Sequence, residues 1–334
     1  MERYFLGNNS GYGFWNEYES ELKRLDKVAL IKGGSGTGKS SLMKKIASKA
    51  IEAGYDVEAW HCSGDPKSLD GVYIKELDRA VVDATAPHAS GVDLPVLKDF
   101  IFDVAVGLDK RKLEGMRDEI EKMQKCKKMH FMRAYQHLKS ALCHYSNVLE
   151  LEKQCVDKRK IRRVAGDVAA LIRSLESGGQ RQRTLFSRAI SPSGENVFSD
   201  HLNGKHVYRV KGCEYAVNAF FDELFKLEKG TYFRRPLAPD VFEGFVKGDT
   251  AVVASECAGE FDGEIVDLCF GDNFDRSDVQ DERNDVLVQT ALAVERLNKA
   301  RAQHLLLEEV FVRAMDFDKN QIVLEDIESF LFER

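Results

Sequence analysis

At 334 residues the chain is long enough for two core-forming domains. Its 43% hydrophobic and 31% charged content is that of an ordinary globular protein, and 25 Gly against 6 Pro excludes collagen-like or low-complexity architectures. A formal net charge of −6 gives no global basic footprint, which disfavours nucleic acid as a partner, and seven cysteines without a C-x-x-C spacing argue against a disulfide framework or a zinc site.

Residues 1–30 carry charges throughout, and no run of about 18 apolar residues occurs, so the expectation is no membrane span and a cytoplasmic location. The first apolar run, Val28-Ala-Leu-Ile31, reads as a buried strand running directly into a Gly-rich turn. Ser40 to Ala53 has helical periodicity (Leu42, Met43, Ile46, Ala47, Ala50, Ile51) and stops at Gly54. Asp56–Cys62 reads as a second strand, Ser68–Leu77 as a short helix and Arg79–Asp83 as a third strand, an alternation that predicts an α/β parallel sheet.

From about Asp109 the pattern becomes helical, with apolar steps of three and four at Leu113, Met116, Ile120 and Met123, resuming at Ala134, Leu138, Leu142, Tyr145 and Leu149. Ile161, Val164, Val168, Leu171 and Leu175 continue the stripe beyond a charged break at Asp157–Lys160. The pattern predicts two long helices folded as a hairpin arm, ended by Ser177-Gly-Gly179, whose apolar face is either core or a surface for a protein partner or a second copy.

After Gly179 the beginning of the chain is echoed. Phe5, Ser10 and Gly13 recur as Phe186, Ser191 and Gly194 at a constant spacing of 181 (186 − 5, 191 − 10, 194 − 13). Lys27-Val-Ala-Leu-Ile-Lys-Gly33 matches His206-Val-Tyr-Arg-Val-Lys-Gly212, while Leu69-Asp-Gly71 and Ala80-Val-Val82 find looser counterparts in Phe242-Glu-Gly244 and Ala251-Val-Val253. A helical segment from about Asp281 to Met315 follows the second set of strands. The expected fold is therefore α/β, a P-loop NTPase with duplicated parallel-sheet units and a long helical hairpin insertion. The expected divisions are 1–107 (active domain), 108–179 (arm), 180–280 (degenerate copy) and 281–334 (C-terminal helices).

The segment Gly33-Gly34-Ser35-Gly36-Thr37-Gly38-Lys39-Ser40, continuing into Ser41, fits G-x-x-x-x-G-K-[ST] in full, and a buried strand before it and a helix after it supply the required context. Glycines let successive N–H groups turn toward phosphate oxygens, and the helix N-terminus adds its positive end. Lys39 is the expected β,γ-phosphate ligand and Ser40 an Mg²⁺ ligand, so ATP with Mg²⁺ is the expected ligand pair. Asp83, at the end of the third strand, is the candidate second metal contact. Residues past strand ends face the ligand crevice, which nominates Asp65 or Asp70 to position a water or accept a proton, with His61, Cys62 and His88 as further candidates.

In the second copy, counting 179 residues on from Lys39 and Ser40 reaches Asn218 and Ala219, so the lysine and the metal hydroxyl are both missing. Ser177-Gly-Gly-Gln-Arg-Gln-Arg183 has the look of an ABC-transporter signature, yet no apolar strand ending in Asp-Glu follows it. It reads better as a basic linker whose Arg181, Arg183 and Arg188 could face a phosphate.

Tyr4-Phe5…Gly13-Phe14, the loop from Lys32 to Lys44, His61-Cys-Ser…Leu69-Asp-Gly71, Asp83-Ala-Thr-Ala-Pro-His88 and Ala189-Ile-Ser-Pro192 together resemble an uncharacterised group of bacterial tandem P-loop ATPases found among Firmicutes. The resemblance spans nearly the whole chain and implies an ATP-binding fold, but carries over no substrate. Many members of that group keep the second P-loop, and this chain departs there. Three readings stay open: an Mg-dependent ATPase or ATP-driven switch, a small-molecule or nucleotide kinase, and a non-enzymatic nucleotide-gated scaffold.

Overall fold

The computed structural model describes residues 1–87, 94–154, 156–176, 178–269 and 276–333; His88, Cys155 and Ser177 lie outside the described residues. The first unit runs β1 (Glu2–Tyr4), β2 (Gly7–Ser10), β3 (Gly13–Asn16), α1 (Tyr18–Lys23), β4 (Lys27–Lys32), α2 (Lys39–Glu52), β5 (Val57–His61), β6 (Leu69–Ile74), β7 (Arg79–Asp83) and β8 (Asp99–Asp103). There follow α3 (Lys110–Glu114), α4 (Arg117–Lys153) and α5 (Lys158–Leu175). The second unit repeats the series as β9 (Arg183–Leu185), β10 (Arg188–Ser191), β11 (Gly194–Val197), β12 (His206–Lys211), α6 (Glu214–Leu227), β13 (Thr231–Arg234), β14 (Phe242–Lys247), β15 (Thr250–Ala254) and β16 (Glu264–Asp267). It ends in α7 (Arg276–Arg313) and α8 (Lys319–Phe332).

The two six-stranded sheets have the same topology. The order β1-β5-β6-β7-β4-β8 in one corresponds strand for strand to β9-β13-β14-β15-β12-β16 in the other. The expected strands at 28–31, 56–62 and 79–83 are present, but of Ser68–Leu77, where a short helix was expected, only Lys75–Leu77 forms a 3-10 turn, and Leu69–Ile74 is a strand, β6. It runs antiparallel to both neighbours, so each sheet is mixed rather than purely parallel. Leu69, Val72 and Tyr73 are spaced as a helix would space them. The segment nevertheless lies between β5 and β7 with backbone partners on both sides, which only an extended chain can satisfy, and β-branched Val72 and Ile74 fit the pleat.

Alternation across the sheet sets the layers. In β4, Ala29 and Ile31 join α2 in one core, while Val28 and Leu30 point to the other face with Tyr18, Leu22 and Trp60. That second face also takes Leu185 and Phe233 of the second unit, so the two units share a core. A pseudo-two-fold relation organises their interface. Phe5 and Phe186 pair across it as an antiparallel bridge, with N–H to carbonyl distances of 2.9 and 3.0 Å, and the equivalent residues meet each other. The repeat spacing of 181 extends to detail: Ser10 donates to the Gly13 carbonyl at 2.8 Å, and Ser191 donates to that of Gly194 at 2.9 Å.

The helices after each sheet do not form the expected self-contained arm. α4 packs antiparallel along α7, from Met123 beside Leu307 and Val310, through Ala134 and Leu138 beside Ala293 and Leu297, to Glu152 beside Arg283. The helix after it, α5, packs on α6 and completes the core of the second sheet through Ile161, Ala165, Val168, Ala169 and Ile172. Reciprocally, α8 returns to the first unit and completes its core with Val323, Leu324, Ile327 and Leu331. Each unit thus lends the other a helix. A stripe at a 3.6 period shows that one face of a helix is buried but carries no record of its partner, so the hairpin 108–179 was a natural reading of a pattern with a different answer.

His201 sits at the interface against Phe233, with ring centroids 4.2 Å apart, and Tyr4, and burial pushes its imidazole down to about 4. The unfolded chain then binds the proton more readily than the folded one, so this contribution is complete above the unfolded value and is lost as pH falls from about 6.5 toward 4. Over that window urea unfolding should show a loss of about 3 kcal/mol, which His201→Phe should largely abolish. An acid profile identical in the variant would remove His201 as its source.

Candidate functional site

β4 ends at Lys32, the chain turns through Gly33–Gly38, and α2 begins at Lys39. Gly38 (φ 87°) and Gly36 (φ 69°) adopt left-handed backbone, which side chains disfavour. A Cβ on Gly36 would also lie 2.7 Å from the Glu308 carbonyl, and one on Gly38 would lie 2.9 Å from Asn320 Nδ2, because α7 and α8 roof the turn. The loop is closed by one polar group of its own and two from elsewhere: Thr37 Oγ1 donates to the Gly34 carbonyl (2.9 Å), Thr85 Oγ1 to that of Gly33 (3.0 Å) and Asn320 Nδ2 to that of Thr37 (2.8 Å). Lys39 Nζ folds back to donate to the carbonyls of Gly33 (3.1 Å) and Gly34 (2.7 Å).

Because β4 and β7 are parallel neighbours with Ile31 opposite Asp83, the two strand ends deliver Lys39 and Asp83 to the same place. Asp83 Oδ2 lies 3.6 Å from Lys39 Nζ, and its Oδ1 accepts from the Thr85 N–H at 2.8 Å. Ser40 Oγ accepts from Leu69 N–H at 3.0 Å, which ties the start of α2 to the 62–69 loop, and Ser41, one residue on, is exposed. Ser35 Oγ lies 3.4 Å from His304 Nδ1 of α7.

The candidates after β5 are committed elsewhere. Asp65 accepts from Ser68 Oγ at 2.8 Å and pairs with Arg301 at 3.0 Å. His61 Nδ1 bonds the Pro66 carbonyl at 2.7 Å and its ring packs on Phe198, while burial lowers its pKa. Burial, with Asp70 alongside, pushes the Cys62 thiol well up, as it does the Tyr18 hydroxyl, which makes Cys62 a poor nucleophile. The described cysteines are all free thiols. Of the linker arginines, Arg183 and Arg188 are held by buried glutamates rather than directed at this loop.

Sequence reasoning missed the residues around the loop: His304 and Glu308 on α7 and Asn320 on α8 touch Ser35, Gly36 and Thr37, and Arg301 of α7 and Lys127 of α4 stand one contact farther out, on Asp65 and His304. Arg301, His304 and Glu308 lie on one face at steps of three and four, a signal visible in the sequence but without an address.

The equivalent place in the second unit is built differently. Two residues, Gly212 and Cys213, separate β12 from α6, where residues 33–38 separate β4 from α2. Equating Lys39 with Asn218 therefore fails. α6 begins at Glu214, and Asn218 is buried one turn in, donating to Tyr145 Oη at 2.7 Å. At the α6 N-terminus the wholly buried Glu152 carboxylate accepts from Tyr215 N–H at 2.9 Å and pairs with Arg283 at 2.9 Å. A carboxylate from α4 thus takes the anion position of this helix end. Glu243, Glu256 and Cys257 cluster nearby, but Arg188 and Arg235 already neutralise the carboxylates.

No helix among the described residues is long and apolar enough to cross a membrane. No family model, curated protein or solved structure matches the chain, and no family is identified for it. What stands beside the site geometry is the architecture itself, two similar α/β units with mixed six-stranded sheets joined by a long helical pair.

Proposed function

We propose that the first unit is a P-loop NTPase domain that binds a nucleoside triphosphate, ATP, with Mg²⁺ at Gly33–Ser41, and that the chain is an ATPase or ATP-driven switch. The observation that carries this reading is the complete G-x-x-x-x-G-K-S segment set as a closed turn between a buried strand and a helix that begins at Lys39, with the Asp83 carboxylate 3.6 Å from the lysine ammonium. The loop carbonyls of Gly33, Gly34 and Thr37 already accept from protein donors, so a polyanion would meet the N–H side of the turn. Lys39 would exchange its two carbonyl partners for β- and γ-phosphate oxygens. Ser40 Oγ retains one lone pair beyond the bond from Leu69, and with Asp83 it offers the hard oxygen donors that Mg²⁺ selects. Bound there, Mg²⁺ would neutralise charge developing on the phosphates.

The kinase reading needs an acceptor site after β5, and there Asp65 and His61 are both engaged by protein partners, as Asp70 is by its burial against Tyr18 and Cys62. The roof of α7 and α8 instead favours a switch. A ligand at the loop would act on α7, which runs along α4 to Glu152 at the head of α6 in the second unit.

Calorimetry with MgATP and MgADP tests the proposal. Lys39→Ala should weaken binding about tenfold to a hundredfold, the worth of a charged hydrogen bond of roughly 1.5–3 kcal/mol, measured below the variant's melting temperature because the Gly33 and Gly34 carbonyls and Asp83 also lose a partner. Absence of heat from the wild-type chain with either nucleotide, or wild-type affinity in Lys39→Ala, sinks it. ADP release that depends on an added acceptor would restore the kinase reading.

A further inference from the structure

We infer that Arg301 of α7 reads the terminal phosphate of the ligand, exchanging its pairing with Asp65 for that anion; this rests on the nucleotide site proposed above. Arg301 is placed by two independent anchors. One turn farther along α7, His304 Nδ1 lies 3.4 Å from Ser35 Oγ, and one turn beyond that the Glu308 carbonyl lies against Gly36. On the other side the loop carrying Asp65 touches the head of α2 through Leu69 N–H on Ser40 Oγ, 3.0 Å. Arg301 is therefore carried by a helix that touches the tip of the Gly-rich turn and is paired to the loop that touches Ser40, the hydroxyl proposed for Mg²⁺.

Its present partners leave capacity to spare. One terminal nitrogen is 3.0 Å from Asp65 Oδ1, while Nε is buried with no hydrogen-bond partner among the described residues. The Asp65 carboxylate is held from behind by Ser68 Oγ at 2.8 Å, so it stays in place when the arginine leaves. Other charges face the same space. Lys127 Nζ is 3.4 Å from His304 Nδ1, burial lowers its pKa against the pull of Glu308, and Glu308 itself lies 3.5 Å from His304. A planar fork with a free donor, carried by a helix that touches the Gly-rich turn, suits bidentate recognition of phosphate oxygens.

Asp65 then acts as an internal anion that competes with the terminal phosphate, and removing the two partners has opposite effects. In the 334-residue chain titrated with a nonhydrolysable Mg–ATP analogue and with MgADP, Arg301→Ala should weaken the analogue about tenfold and MgADP less than about twofold. Asp65→Asn frees the arginine and should strengthen the analogue several-fold, with MgADP again unchanged. A merely structural ion pair would make both variants move together, and both nucleotides with them. Equal loss of analogue and MgADP in Arg301→Ala, or weakening of the analogue in Asp65→Asn, overturns the inference. If the wild-type chain binds neither nucleotide, the proposed function falls and this falls with it. If it binds both and Arg301→Ala keeps their ratio, only the role of Arg301 is lost. Melting temperatures separate a folding defect from either outcome, and Arg301→Lys should restore part of the analogue's affinity.

Discussion

Arg183→Ala is expected to destabilise the protein by about 3–5 kcal/mol, the cost of leaving buried charge without its partner. Arg183 lies on β9, the edge of the second sheet, and reaches across the interface to two glutamates of the first unit. Its Nε and Nη2 donate to Glu21 at 3.0 and 2.7 Å, and Nη1 and Nη2 donate to Glu58 at 3.0 and 2.9 Å. Both carboxylate side chains are 2% exposed. Burial works to raise the Glu58 pKa, yet the charge and hydrogen bonds of Arg183 hold it below the usual carboxylate range. A folded value below the unfolded one stabilises the protein above the unfolded value, and that contribution is lost as pH falls. In the variant the burial penalty is unopposed by the arginine and the sign reverses, so the deficit should be largest near neutral pH and shrink toward pH ~4. Arg24, still 2.8 Å from Glu21, and Lys75, still 3.8 Å from Glu58, set the lower end of the range. Urea unfolding at two pH values measures both effects. A loss under about 1 kcal/mol, or a deficit independent of pH, would show that the cluster contributes little to holding the units together.

The double variant Ile327→Ala/Leu331→Ala should lose about 4 kcal/mol or more, since each truncation of a fully buried aliphatic costs roughly 2–5 kcal/mol and neighbouring sites add imperfectly. Both side chains are 0% exposed and sit in the core of the first sheet, although α8 ends the chain. The informative result is where protection is lost. Amide hydrogen exchange should quicken in α2, β4 and β8, which share that core, while α5 and α6 remain protected. Because Asn320 of the same helix donates to the Thr37 carbonyl, exchange should also rise in the Gly-rich turn. Equal loss in α6 would mean that the two units open as one, and that the exchanged helices are not separate contributions to separate cores.

The duplication was legible because its markers have local physical reasons. Ser10 and Ser191 close the same turn, and Gly13 and Gly194 hold φ of 97° and 99°, so chain segments far apart needed the same residues at the same spacing. The second copy of the turn was misaligned because deletion of loop residues leaves no trace in a strand match. Only the start of α6 at Glu214 shows that the turn was shortened rather than substituted.

Taken alone, the residue order determined what lies within one or two elements: the strand, turn and helix around Lys39, the strands 57–61 and 79–83, the long helices and the repeat. Hydrophobic period, turn residues and helix ends are local properties, and each is readable in a window of about 18 residues or fewer. The tertiary structure alone decided that β6 pairs on both sides, that α4 lies against α7 rather than α5, and that α5 and α8 cover each other's units. It also decided that His304, 265 residues beyond Lys39 (304 − 39), touches the same turn, and that Arg301 one turn before it pairs with Asp65. An apolar face states that it must be buried and does not name its partner. The choice among partners rests on shape, register and total buried area, quantities that exist only once the chain has folded.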